Sequence, residues 1–148
     1  FTGTRVASSV IQAIAYTHNI PVIGISSMWL MAYQASRIRS LDQYCCIKHA
    51  YGKMLYISYF SSPLDKNNIN VKLIKKSELS IKDDENVIIE DDSLVKMVNL
   101  QHPNIINLSE HHKSLNAISQ IEALESSDYK EKNFDLKTTL PDYADHEV

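Results

Sequence analysis

Three groups of side chains in this sequence have residue types that could do chemistry. Glu90, Asp91 and Asp92 are consecutive acids, and acidic triplets can bind magnesium through their oxygens. They directly follow the apolar run Val87-Ile88-Ile89 and precede Ser93. Asp92 or Ser93 can therefore cap a following helix, whose N-terminus favours acids, and that reading asks less of the chain than a metal site. His111 and His112 are adjacent and point to different sides of a helix, whereas a metal pair on one helical face needs a spacing of four. Cys45 and Cys46 are also adjacent. Neighbouring cysteines close a strained ring, and four-ligand zinc spacing is absent. They read as two reduced thiols in a strand, one facing each way.

Phosphate-binding and nucleophile motifs are missing too. No G-x-x-x-x-G-K-[ST], G-x-G-x-x-G or G-x-S-x-G occurs. The chain holds three glycines, Gly3, Gly24 and Gly52, too few for a glycine-rich cradle. The sequence thus assigns no catalytic residue, no metal ligand and no cofactor. The net charge of −3 argues against tight direct nucleic-acid binding, which needs a basic footprint. No apolar run approaches the ~20 residues of a membrane span, and no signal peptide is read at the start. With 148 residues, 44% hydrophobic and 22% charged, the chain can build a real core. It opens on Phe1-Thr2-Gly3 without a Met, which reads as a fragment.

The elements that must position these residues begin with an unusual helix. Residues 3–18 carry one full charge, Arg5, with Thr2 as a possible cap. Val6, Val10, Ala13, Ile14 and Thr17 form one stripe at helical spacing, and Ala7, Ile11, Ile14 and His18 a second. Between them runs a mildly polar strip of Arg5, Ser9, Gln12 and Tyr16. A helix without a clear polar side is usually covered on more than one side. Either both stripes pack within one domain, or the small-residue strip docks a partner; most apolar stripes are simply core.

Asn19-Ile20-Pro21 ends the helix. Val22 to Ser26 lacks charge and alternation and predicts a strand covered on both faces. A second helix is expected from Met28 to about Arg37, capped by Ser26 or Ser27. Gln43 to Phe60 predicts a hairpin whose turn, Ala50-Tyr51-Gly52-Lys53, places Gly52 where φ > 0 is tolerated. Short strands are expected at Val71–Ile74, at Asn86–Glu90 and at Asn104–Leu108, with a helix at Leu94–Leu100. A last helix is predicted from Ser109 to about Glu125, with Leu115, Ile118, Ile121, Ala123 and Leu124 buried. Residues 126–137 read as a polar linker and 138–148 as a tail that returns to the body.

Phe1-Thr2-Gly3-Thr4-Arg5-Val6, Gln12-Ala13-Ile14-Ala15 and Ile20-Pro21-Val22-Ile23-Gly24-Ile25-Ser26-Ser27 resemble the bacterial TsaB (YeaZ) family. There a GPGSFTG-[LV]-R stretch opens a helix and is followed by a strand like IPLIGVSSL. Ile47-Lys48-His49-Ala50-Tyr51-Gly52-Lys53-Met54-Leu55-Tyr56 looks like the family's I-D-A-R-x-G-E-V-Y, and Pro141–Val148 like its closing P-V-Y-L-R-x-x-V. The matches lie in order and span nearly the whole chain. The family's helix glycines are here Ala7, Ser9 and Ala13, and Lys48-His49 stands for its Asp-Ala.

The resemblance implies an α/β fold of the actin/Hsp70-like (ASKHA) class, with two lobes, of which the first strands of the N-terminal lobe are lacking here. It divides the chain into 1–40 (rest of the N-terminal lobe), 41–137 (C-terminal lobe) and 138–148 (tail). It implies a cytoplasmic, non-catalytic subunit of the machinery that installs threonylcarbamoyl on the adenosine next to the anticodon of tRNA. The implied partners are a TsaD-like catalytic subunit, a TsaE-like ATPase reached through the complex, a second copy in a homodimer, and tRNA only indirectly; no membrane is involved. The implied partner interface is Arg5, Val6, Ser9, Val10, Gln12, Ala13 and Tyr16. The alternative is a nucleotide-using or peptidase-like enzyme of the same superfold, in keeping with old "glycoprotease" naming.

Overall fold

The computed structural model describes residues 2–20, 22–65, 68–98, 101–113 and 115–126. The expected tail and nearly all of the expected linker lie outside these residues. The helices are α1 (Thr2–His18), α2 (Ser27–Ile38), α3 (Asp92–Val98) and α4 (Ala117–Ser126). The strands are β1 (Gln43–His49), β2 (Met54–Ser61), β3 (Val71–Lys75), β4 (Val87–Ile89) and β5 (Ile105–Asn107).

The five strands form one mixed sheet in the order β3-β2-β1-β4-β5. Local chemistry sets its antiparallel half. The β1–β2 hairpin runs in register from Gln43↔Ser61 to His49↔Leu55, and Gly52 turns it at φ +55, a conformation glycine adopts without a Cβ penalty. β3 adds antiparallel to β2. The other half is parallel: β4 lies beside β1, and β5 beside β4. β4 is three apolar residues, Val87, Ile88 and Ile89, all fully buried, as a strand covered on both faces requires.

Successive side chains of a strand point to opposite faces, so the sheet separates two cores. One holds α2, Tyr44, Cys46, Phe60, Ile88 and Ala123. The other holds Cys45, Ile47, Leu55, Ile57, Val87, Ile89 and Leu94. The adjacent cysteines do face opposite ways. α2 is capped by Ser26, whose side chain accepts from the Trp29 N–H at 3.5 Å. Its buried residues include Met28 to Ala32 and Ala35. Each large side chain buried there stabilises the fold by about 1.5–3 kcal/mol. Trp29 stacks on Tyr33 at 5.5 Å, and the Tyr33 hydroxyl donates to the Glu122 carbonyl at 3.3 Å. That bond ties α2 to α4.

Three expectations change. Residues 22–26 form no strand. The segment has strand-like alternation, since Ile23 and Ile25 pack on the first core while Gly24 is exposed. No strand of the sheet pairs with its backbone. The single helix expected from Ser109 is split. A 3₁₀ turn at Ser109–His111 ends with His112 in the left-handed region at φ 54. The Lys113 N–H then closes on the Leu108 carbonyl at 2.9 Å. The chain restarts at Ala117, where the Asn116 side chain accepts from the Ser119 N–H at 3.0 Å. This restart turns Ser119 and Ala123 inward and leaves Ile118 and Ile121 exposed, opposite to the expected burial of both isoleucines. Finally, α3 begins earlier than expected, and its cap is Asp91, whose Oδ1 accepts from the Ser93 N–H at 2.8 Å.

Candidate interaction surface

Burial along α1 falls on one narrow side. Ala15 is buried, and Ser8 and Gln12 are half-buried. These residues, at i, i+4 and i+7, share one helical face. The opposite side carries Val6 (57% exposed), Val10 (52%) and Ile14 (54%), flanked by Ile11 (52%). Ala13 lies among them and is exposed. The Thr17 hydroxyl donates back to the Ala13 carbonyl at 2.8 Å, so even this polar group is spent within the helix. The result is an outward face of side chains without charge. The helix ends cleanly: Asn19 takes φ 51, the Asn19 N–H reaches the Tyr16 carbonyl, and the Ile20 N–H reaches the Ala15 carbonyl. This paired closure is the Schellman arrangement, with Asn in the left-handed position.

Of the residues implied as a partner interface, Arg5, Val6, Ser9, Val10, Ala13 and Tyr16 are exposed, and Gln12 is half-buried on the side facing the body. Tyr16 is 80% exposed. Ile11 and Ile14 join the same exposed surface and were not among the implied contacts. Both belong to apolar stripes already visible in the sequence, and what was missing was the side on which the body sits. The expected two-sided burial of this helix is not seen among the described residues, because no described element covers its outward face.

The residues with possible chemistry are engaged by the fold. Glu90 pairs with Lys48 at 3.0 Å. Asp91 caps α3, and its hydrogen bonds from Ser93 hold its carboxyl below the ordinary value. Asp92 accepts from the Asn107 amide at 2.6 Å. Asn107 is buried and also donates to Glu110 at 3.3 Å, while its carbonyl oxygen accepts from the Ser109 hydroxyl at 2.9 Å. These bonds hold Asp92 and Glu110 against β5. Among the described residues no group of three His, Cys, Asp or Glu could hold a metal ion. His111 and His112 are both exposed. Burial pushes the Cys45 thiol up to about 12 and Cys46 well above its ordinary value, so neither is a thiolate nucleophile near neutral pH. At the other end of the parallel strands lies an open depression of ≈ 560 Å³ edged by Arg39, Asp42, Gln43, Asp84 and Asn86, with charges of both signs.

A crystal structure described as an uncharacterized protein with similarity to peptidase YEAZ from Pseudomonas aeruginosa superposes with a TM-score of 0.66. The match covers 98% of this chain and 68% of that one, at 15% identity. YeaZ from Pseudomonas aeruginosa gives the same TM-score and identity over 97% and 68% of the two chains. The fold is YeaZ-like. No protein-family model and no curated protein matches the sequence. At this identity the likeness speaks for the fold, and it agrees with the YeaZ-like order of motifs that begins at Phe1-Thr2-Gly3. In the YeaZ-like arrangement α1 leads into the extended segment 22–26 and α2, and the mixed sheet follows. No helix among the described residues is long and apolar enough to cross a membrane.

Proposed function

We propose that this chain is a TsaB-like, non-catalytic subunit that binds and activates a TsaD-like catalytic partner. The product is threonylcarbamoyladenosine next to the tRNA anticodon. The observation that carries the proposal is the uncharged, exposed face of α1 on a YeaZ-like fold. In a stable monomer, contiguous apolar surface of this kind signals an interaction site. The contact would centre on Val6, Val10 and Ala13, with Arg5, Ser9, Gln12 and Tyr16 on its flank. A TsaE-like ATPase joins through the complex, tRNA is met only indirectly, and the setting is cytoplasmic. The two-lobe ASKHA arrangement, with residues 1–40 in one lobe and 41–137 in the other, belongs to the same proposal. So does the possible homodimer.

The test is co-purification of the protein with its TsaD-like partner. Ala13→Arg places a long cation at the centre of the face, and it should abolish the complex while circular dichroism stays unchanged. An unaltered pull-down rejects α1 as the interface. The enzyme reading draws on the word peptidase in the description of one similar structure. Calorimetry with ATP and magnesium, and a peptidase assay with a chelator control, separate the two. A saturable nucleotide signal or chelator-sensitive cleavage would favour the enzyme.

A further inference from the structure

We draw no further inference here: the strongest candidate, the apolar patch of Ile118 (67% exposed) and Ile121 (54%) on the outer side of α4, carries nothing because nothing in the structure shows what covers it.

Discussion

Gln34 is fully buried in α2, and neither polar atom of its side-chain amide finds a hydrogen-bond partner among the described residues. A buried polar group left unsatisfied costs about 1–3 kcal/mol. Met is close to Gln in shape and has nothing to satisfy. Gln34→Met should therefore raise unfolding stability by about 1 kcal/mol or more, measured by urea denaturation with an unchanged m-value. A loss of stability would mean that the amide is held after all. The buried thiols make a second claim. Burial raises the folded pKa of Cys45 from 9.0 to about 12, and that of Cys46 in the same direction. A raised folded pKa means that the stabilisation is full below the unfolded value. It declines as pH rises from there through the folded value. Unfolding stability should then fall as pH rises from about 9 towards about 12, by up to about 1.4 kcal/mol per pH unit from Cys45, with Cys46 acting in the same direction. Cys45→Ala should make that slope shallower. In the native protein at pH 8, Ellman's reagent should label the two thiols only on unfolding; prompt labelling would contradict their burial.

Among the elements, those set by neighbours in sequence were the readable ones. The hairpin follows from the turn at Gly52 and an arm, residues 54–60, rich in aromatic and β-branched residues, and β4 from a charge-free run bounded by polar residues. The extended segment 22–26 was misread because strand formation depends on a backbone partner elsewhere, which local pattern does not report. The split before α4 was misread for a related reason: Leu115, Ile118 and Ile121 keep helical spacing across it, while the break rests on the left-handed turn at His112. The interaction face was legible in part. An apolar helix without a polar side announces itself, yet such uniformity gives no sign of which side meets the body, and that side proved to be Ser8, Gln12 and Ala15. Turn and cap chemistry is testable here. A residue with a Cβ costs roughly 1–2 kcal/mol in the left-handed region. His112 occupies it at φ 54, so His112→Gly should gain about 1 kcal/mol, less the entropy glycine adds to the unfolded chain. Gly52→Ala should lose about as much. Asp91→Ala removes the α3 cap and should cost about 1 kcal/mol. Denaturation midpoints of the three variants check both directions, and a Gly52→Ala protein as stable as the parent would reject the hairpin turn.

For the whole molecule, two cores form on the faces of the sheet, with α2 in one of them, whereas α1 contributes no described residue to either; among the described residues of α1 only Ala15 is buried. Its outward face leaves Val6, Val10, Ile11 and Ile14 each more than half exposed. Burying apolar surface yields about 25 cal/mol per Å², so four such side chains supply a sizeable drive to associate, and the face holds no charge to oppose a neighbour. In solution the 148-residue chain should therefore self-associate with rising concentration in multi-angle light scattering. Glutamate at Val10 and Ile14 together should return it to a monomer. These positions point away from the body, so the double variant should keep the circular dichroism and melting behaviour of the cores. That separation matters: a variant that unfolds would say nothing about the surface, whereas one that stays folded and becomes monomeric assigns the association to α1. A concentration-independent monomer of the unaltered chain would show that the face is not sticky by itself, and a partner would then have to supply specific polar contacts through Arg5 or Tyr16.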